Sequence, residues 1–349
     1  MHEQLVEHLR RHFPDADRIV VEELAPIPGG FSRETYRFDA HVHRGGAVHV
    51  MPMILRKDPP PAAAIIQTSR QREHDLITAI REHTRVPVSE SYFPIVDPKP
   101  FGEPAMVIER AHGSGQTSNL FNQGPDAAQT DDVIRHLCEV LVELHTADVD
   151  KLNVGGQLSD PRGVGVETTS WDRYMETTFE YYINIYPKVD FDPSMSVYMD
   201  SFLTLRRKKP RPLRLSLVHG DFNPANFLYQ DRKVTALIDW ELARVGDPRE
   251  DLGWMKTMDL LSNTSVMEHP KSEGGFLSYY NKLTGWDITP EEIDYFSLFG
   301  TAYVAVEVAA SIKRRVNREH MQLLHLYILQ PSILNLLNFA KMLGYPGVA

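Results

Sequence analysis

The chain has 349 residues, one cysteine and a formal net charge of −10, with 42% hydrophobic and 24% charged residues. The length is enough for one large or two medium-sized domains, and the composition is that of an ordinary globular protein. The negative charge argues against a general binder of nucleic acid or of anionic membranes. Because no apolar signal core or membrane-spanning run is recognisable, we expect a cytoplasmic protein.

The N-terminal part of the chain alternates strand patterns with turns. Residues 1–13 predict an amphipathic helix, and residues 19–24 predict a first strand. Gly29 and Gly30 mark a turn, after which the residues alternate in character as in a second strand. Residues 47–56 predict a third strand. This order of strands and turns indicates a small antiparallel sheet.

A helix is predicted up to about His83. Glu73 falls on the same face of this helix as several apolar residues. A carboxylate on such a face needs a partner, and the candidate is Arg56 at the end of the third strand. Residues 86–88 and 105–108 predict the last two strands of the N-terminal sheet.

The second half of the chain is predicted to be mainly helical. Residues 133–144 carry an apolar stripe typical of a core helix, and Cys138 lies within it. The basic run at residues 206–214 is expected to be solvated. Residues 323–340 predict a buried terminal helix pair that is broken at Pro331.

Residues 215–252 carry the densest set of polar side chains of the kinds used in catalysis and metal binding. Within them, residues 227–230 and 234–238 predict two strands joined by a three-residue turn at 231–233. That register places Asn226 opposite Ile238, at the open end of the hairpin. The side chains that flank this end are therefore expected to meet.

Asp221, Asn226 and Asp239 are the side chains that this geometry brings together. Phosphoryl transfer asks a protein mainly to position groups and to neutralise charge. Mg²⁺ prefers oxygen ligands, and an aspartate can accept the proton of an attacking hydroxyl. The D-x-x-x-x-N spacing, with a later aspartate, is that of the catalytic loop and metal aspartate of protein kinases.

The blocks H-G-D-F-N-P-A-N, I-D-W-E and G-D-P-R-E-D-L follow one another in this order. Together they resemble the aminoglycoside phosphotransferase and choline kinase-like family, and most of all the branch related to the kinase-like modules of some acyl-CoA dehydrogenases. The resemblance implies an α+β, two-lobed, protein-kinase-like fold. An antiparallel-sheet N-lobe (1–108) would bind the nucleotide. A mostly helical C-lobe (109–349) would carry the catalytic loop, the metal site and the substrate pocket.

The resemblance also implies an activity and its residues. A kinase of this kind uses ATP and Mg²⁺ to phosphorylate a hydroxyl of a small molecule. Asp221 would be the catalytic base, Asn226 and Asp239 would hold Mg²⁺, and His219 would support the loop. The residues expected to bind the nucleotide are Gly29, Gly30, Ser32, Thr35, Arg56, Glu73, Glu109 and Ala111. Independently of the resemblance, Glu241 is expected to face the substrate or a second metal, with an exposed strand-end carboxylate as the alternative, and Glu307, which sits amid apolar residues, is expected to face the substrate.

Several alternatives stay open at this point. Lys57 competes with Arg56 for the phosphate-contacting position, and Asp251 is sufficiently explained by its place at a helix N-terminus. A non-catalytic nucleotide-binding sensor would usually have lost a base or metal residue, and neither is missing here. A metal-dependent hydrolase would use the same acidic groups without ATP. The acceptor could be an aminoglycoside, choline or a hydroxylated acyl compound.

A zinc site is a further possibility that the histidines of the N-terminal part raise. His41, His43 and His49 lie close together in sequence, and an H-x-H pair on one strand face could bind Zn²⁺. No third ligand can be assigned from the pattern.

Overall fold

The computed structural model describes residues 1–27, 33–61, 64, 66, 68–185 and 196–314. The N-terminal elements are α1 (His2–His12), β1 (Arg18–Pro26), β2 (Glu34–Arg44), β3 (Ala47–Lys57), α2 (Arg70–His83), β4 (Ser91–Ile95) and β5 (Ala105–Glu109). The helices that follow are α3 (Ser118–Phe121), α4 (Thr130–Thr146), α5 (Val149–Leu152), α6 (Trp171–Ile185) and α7 (Ser196–Arg207).

The remaining elements surround the stretch that carries the predicted site. They are β6 (Ser216–Val218), β7 (Phe227–Gln230), β8 (Lys233–Leu237), β9 (Arg244–Gly246), α8 (Arg249–Leu261), α9 (Phe276–Thr284) and α10 (Pro290–Arg314). The fold is two-lobed and protein-kinase-like, as the sequence predicts: an antiparallel sheet forms the N-lobe, and the C-lobe is mostly helical.

The N-lobe is a five-stranded antiparallel sheet with strand order β1-β2-β3-β5-β4. Alternating apolar residues of β2 and β3 face one side, where α1 covers them. Leu5 and Leu9 of α1 are fully buried there, and burying a leucine side chain is worth about 1.5–3 kcal/mol. Ser69 caps α2, since its hydroxyl accepts a hydrogen bond from the backbone N–H of Arg72 at 3.3 Å.

The prediction of a strand at residues 86–88 is wrong, because the edge strand of the sheet is β4, Ser91–Ile95. Val86 and Val88 are buried, but against the core of the C-lobe. The backbone N–H of Leu237 in β8 donates to the carbonyl of Pro87 at 2.8 Å. The apolar character of this segment therefore reflects packing onto the other lobe and not membership of the sheet.

The hairpin formed by β7 and β8 differs in its turn from the prediction. Gln230 pairs with Lys233, so the turn has two residues, Asp231 and Arg232, and both have positive φ (49° and 66°). A bulge then shifts the register by one residue at Thr235. Because of this compensation, Asn226 still lies opposite Ile238, whose N–H donates to the carbonyl of Asn226 at 3.0 Å.

Among its described residues, the C-lobe has two apolar cores. One lies among α4, α9 and the short C-lobe strands, and the other is an aromatic cluster shared by α6, α7 and α10. In the second core, Tyr182 stacks on Phe202 at 5.4 Å, and Phe179 meets Phe299 edge-on at 5.5 Å. These rings fill a core.

Helices α8 and α10 pack tightly against each other. A Cβ on Gly253 would lie only 2.5 Å from the backbone nitrogen of Ser297, so the contact needs glycine. Among the described helices, none is both long and apolar enough to span a membrane. The predicted terminal helix pair at 323–340 lies outside the described residues.

Candidate active site

The loop that carries Asp221 is fixed by its backbone. Gly220 has a φ of 81°, and a Cβ there would collide with the carbonyl oxygen of Leu242, so only glycine fits. The backbone N–H groups of His219 and Gly220 both donate to the carboxylate of Asp251, at 2.7 and 2.9 Å. One buried carboxylate of α8 therefore sets the path of the loop just before Asp221.

Asp251 does more than complement a helix dipole, which is the explanation that its position suggested. Besides the two loop N–H groups, its carboxylate lies 3.0 Å from Nε2 of His145. Nδ1 of the same ring lies 2.8 Å from the hydroxyl of Tyr280. Burial alone would raise the pKa of Asp251, but the hydrogen bonds and charges of its histidine neighbours lower it.

His219 supports the loop, as predicted. Its ring is buried, and burial lowers the pKa of His219, which favours the neutral imidazole. Nε2 lies 2.9 Å from the carbonyl of Ile238, and the N–H of Asp221 donates to Nδ1 at 3.3 Å. The neutral ring therefore donates on one side and accepts on the other, and it joins the strand before Asp239 to the loop of Asp221.

The carboxylate of Asp221 is held by three neutral donors. Oδ1 accepts from the indole N–H of Trp254 at 2.7 Å and from the amide of Asn223 at 2.9 Å. Oδ2 accepts from the amide of Asn226 at 2.8 Å. Burial raises the pKa of Asp221 to about 7, and the nearby carboxylate of Asp239 adds to this effect. The group thus lies in a setting typical of a general base.

Asn226 contacts Asp221, as the hairpin geometry predicts, and the carboxylate of Asp239 lies near enough to raise the pKa of Asp221. The amide nitrogen of Asn226 also donates to the backbone carbonyl of Asp221 at 2.9 Å, which leaves its side-chain oxygen for another partner. Asp239 has a φ of 70°, and its Oδ1 accepts from Arg56 at 2.5 Å. Burial alone would raise the pKa of Asp239, but Arg56 and Arg33 lower it, so the carboxylate is charged.

The two side chains fit a Mg²⁺ ion. Mg²⁺ is usually bound through one or two carboxylates, with phosphate oxygens and water completing its shell. Among the described residues, no group of three or more histidine, cysteine, aspartate or glutamate side chains could hold a metal by itself. His49 pairs with Val42 and so lies on the face of the sheet opposite His41 and His43, which excludes it as a third zinc ligand beside that pair.

Arg56 and Glu73 form the predicted pair. Nη1 of Arg56 lies 2.9 Å from Oε1 of Glu73, and both side chains are largely buried. Burial alone would lower the pKa of Arg56, but Glu73 and Asp239 raise it. Lys57, on the opposite face of β3, lies 2.7 Å from the largely exposed Glu34. Arg56, and not Lys57, is therefore the basic residue whose side chain faces Asp239.

Of the other predicted nucleotide-binding residues, the structure describes Thr35, Glu109 and Ala111. Thr35 lies beside Arg56 in the pairing of β2 with β3. Glu109 ends β5, and its N–H donates to the carbonyl of Glu90 at 2.8 Å. Ala111 follows two residues later. The hinge role of the last two stays a prediction, as does the lobe boundary at residue 108. Gly29, Gly30 and Ser32 lie outside the described residues.

The two carboxylates that were expected to face the substrate are engaged by arginines. Glu241 pairs with Arg33 and lies 3.5 Å from Arg70. Glu307 pairs with Arg162 and accepts a hydrogen bond from the hydroxyl of Tyr181 at 3.1 Å. Neither carboxylate is a free negative charge for a cationic acceptor, although both lie next to cavities.

Two adjoining cavities open beside the loop that carries Asp221. Glu241 lines one of them, and the Arg162 that pairs with Glu307 lines both. The side chains common to both cavities are those of Pro161, Arg162, Tyr182, Arg244 and Tyr303.

Several residues of the site were not found from the sequence, among them Trp254 and Arg33. Trp254 lies one helical turn after Asp251, so the spacing of three residues in α8 could have placed it on the same face. Arg33 pairs with a residue 208 positions away, and no local pattern could indicate this contact. Trp254 contacts Asp221 and Arg33 contacts Glu241, and both of these partners lie within residues 215–252.

The fold and the site together define a class of protein. A kinase-like fold with this set of aspartates, asparagine and arginine–glutamate pair is that of a phosphotransferase. The chain belongs to the phosphotransferase enzyme family, whose model matches residues 23–268.

One curated relative is similar over part of its length. The probable acyl-CoA dehydrogenase IBR3 of Arabidopsis thaliana is 27% identical over 229 residues, which are 63% of this chain. The match covers only 26% of IBR3, so the chain corresponds to about a quarter of that protein's length.

Solved structures show the fold over nearly the whole length. A ternary complex of the aminoglycoside phosphotransferase APH(4)-Ia with AMP-PNP and hygromycin B is similar with a TM-score of 0.60 and 15% identity. The alignment covers 97% of this chain and 98% of that one. The macrolide 2′-phosphotransferase MphH of Brachybacterium faecium has a TM-score of 0.56 at 17% identity, with 99% of both chains covered.

Proposed function

We propose that the chain is an ATP- and Mg²⁺-dependent phosphotransferase that moves the γ-phosphate to a hydroxyl of a small molecule. The observation that carries this proposal is the contact of Asn226 with Asp221 close to the carboxylate of Asp239, with Arg56 bound to both Glu73 and Asp239. Phosphoryl transfer needs a proton acceptor, ligands for the metal and a cation for the phosphates, and this set supplies all three.

Each residue then has a role that follows from its contacts. Asp221 orients the acceptor hydroxyl and takes its proton. Asn226 and Asp239 would hold Mg²⁺, which when bound neutralises phosphate charge and aligns the transferred group. Arg56, kept in place by Glu73, contacts the phosphates.

The predicted glycine loop and the hinge residues complete the nucleotide site in this proposal. Gly29, Gly30, Ser32 and Thr35 cover the phosphates, and the backbone of Glu109 and Ala111 binds the base. The complex of APH(4)-Ia with AMP-PNP, a protein of similar fold, supports the binding of a nucleotide.

The acceptor is proposed only as a small molecule with a hydroxyl group. Hygromycin B and macrolides are bound or modified by proteins of the same fold. In this chain, however, Glu241 and Glu307 are paired with arginines. The two cavities beside the catalytic loop are the proposed acceptor site, and their paired carboxylates give no specific support to a polycationic acceptor.

The test is an assay for ATP consumption with pools of hydroxyl compounds, in which products are identified by mass spectrometry. We expect Mg²⁺-dependent formation of one phosphorylated product, and Asp221→Ala should abolish it. Asp172→Ala, which changes an exposed aspartate of α6, serves as the matched control. Unfolding curves would establish that both variants are folded.

The outcomes separate the candidate functions. Full turnover by folded Asp221→Ala would remove Asp221 as the base. Tight binding of Mg·ATP without any turnover across all pools would instead indicate a nucleotide sensor. Phosphate release without ATP would indicate a metal-dependent hydrolase.

A further inference from the structure

Arg33 and Glu241 form a contact between the lobes that the proposed chemistry does not use. Arg33 directly precedes β2 of the N-lobe, and Glu241 lies in a short 3₁₀-helix of the C-lobe, Trp240–Leu242. The Arg33 guanidinium pairs with the carboxylate of Glu241, and the side chains are only 6% and 15% exposed. The pair therefore joins two parts of the chain that are 208 residues apart.

The pair belongs to a compact network. Arg33 also pairs with Asp58 and donates to the hydroxyl of Thr68 at 2.7 Å. Arg70 of α2 donates to the same hydroxyl at 2.9 Å and lies 3.0 Å from Asp58. Every member of this network except Glu241 comes from the N-lobe side.

The network continues directly into the metal site. Glu241 follows Asp239 by two residues, and Arg70 also pairs with Glu73, the partner of Arg56. The charged members are three guanidinium groups (Arg33, Arg56 and Arg70) and four carboxylates (Asp58, Glu73, Asp239 and Glu241). These groups together carry one more negative than positive charge, and a divalent cation bound at Asp239 would make their total charge positive.

A buried ion pair is weak evidence for stability, because desolvation of the two charges offsets much of their attraction. Its geometric effect is more specific. The pair fixes the distance between the start of β2 and the segment that carries Asp239. Since a nucleotide between the lobes would contact both of these parts, the pair can set how well they are prearranged for it.

We propose that Arg33 and Glu241 are positioning residues that form an inter-lobe latch, and that this latch sets the affinity for Mg·nucleotide. The proposal rests on the proposed function, since it takes Mg·nucleotide to bind between the lobes. In this arrangement Glu241 acts by holding Arg33.

The test is calorimetric titration of the full chain with Mg·AMP-PNP, for the wild type, Arg33→Met, Glu241→Gln and the double variant. We expect each single variant to raise the dissociation constant about tenfold, within the usual range of coupling between sites. The double variant should be no weaker than the singles, because each single already breaks the latch. Arg33→Lys keeps the charge and should recover part of the affinity.

Arg135→Met is the matched control. Arg135 pairs with Glu273 at 2.9 Å, on the C-lobe and outside the network described above. It should leave the dissociation constant unchanged. Urea unfolding of every variant separates a loss of affinity from a loss of fold, and Glu241→Gln carries the test if Arg33→Met does not fold.

Wild-type affinity in both folded single variants would overturn the latch, and so would additive losses in the double variant. These outcomes are distinguishable from a failure of the proposed function, in which the wild type itself would not bind Mg·AMP-PNP.

Discussion

The two halves of the site are held by different kinds of contact. The half that carries Asp221 is fixed by neutral donors from the C-lobe alone: the indole of Trp254, the amides of Asn223 and Asn226 and the loop backbone. The half that carries Asp239 is fixed by ion pairs that cross between the lobes, through Arg56 and through Arg33 with Glu241.

The difference has a physical consequence for function. Neutral hydrogen bonds hold Asp221, the proposed base, at a fixed position without a charge that must be displaced when substrate arrives. Ion pairs around Asp239 can be redistributed when a metal and phosphates enter, because guanidinium groups bind phosphate as well as carboxylate. The base half is therefore expected to be preorganised, and the metal half to be completed by the nucleotide.

The largest expected effect is on the backbone support of the base half. Asp251→Ala leaves two loop N–H groups and His145 without their buried partner. Each buried donor left without a partner costs about 1–3 kcal/mol, so we expect a loss of about 3 kcal/mol or more in the free energy of unfolding measured with urea. Asp294→Ala, which breaks an exposed pair with Lys256, should cost at most about 1 kcal/mol. Equal losses in the two variants would contradict the assigned role of Asp251.

A smaller effect is expected from the donor to the base itself. Trp254→Phe keeps a ring in place but removes the N–H that binds Asp221. A hydrogen bond to a charged group contributes about 1.5–3 kcal/mol, so kcat should fall about 10- to 100-fold. The KM for ATP should not change, because Trp254 contacts the base and not the metal half.

The control for this prediction is Trp286→Phe, which alters a ring that packs on Tyr280 at 5.8 Å. It should leave kcat as in the wild type. An unchanged kcat in Trp254→Phe, or a rise in its KM for ATP together with the fall in kcat, would contradict the separation of the two halves.

The same division explains how much could be predicted from the sequence. Asp221, Asn226 and Asp239 meet through a local hairpin, and the pairing of Arg56 with Glu73 follows from strand alternation and helix periodicity. These patterns act over short spans, so the sequence contains them. The hairpin turn has two residues and not the predicted three, but a bulge at Thr235 restores the register, so Asn226 still lies opposite Ile238.

What the sequence could not provide are contacts between distant parts. The apolar run at residues 86–88 predicts a strand equally well whether it joins a sheet or packs on the other lobe. Likewise, a carboxylate such as Glu241 has the same local pattern whether it faces a substrate or pairs with Arg33. In both cases the deciding partner is more than a hundred residues away, and only tertiary packing selects it.

The smallest expected effect concerns the contacts around Asp239, and it distinguishes the roles of the neighbouring side chains of Arg56 and Lys57. Arg56→Ala and Glu73→Ala should each raise the KM for ATP by a similar factor, about tenfold, because a lost charge-assisted contact is worth about 1.5–3 kcal/mol before partial compensation by Arg70. Lys57→Ala removes only a pair with the largely exposed Glu34, so its KM should change less than about twofold. Initial rates at varied ATP and fixed acceptor measure all three. A larger effect at Lys57 than at Arg56 would transfer the phosphate contact to the lysine. Unequal effects of Arg56→Ala and Glu73→Ala would show that the glutamate does not act through the arginine.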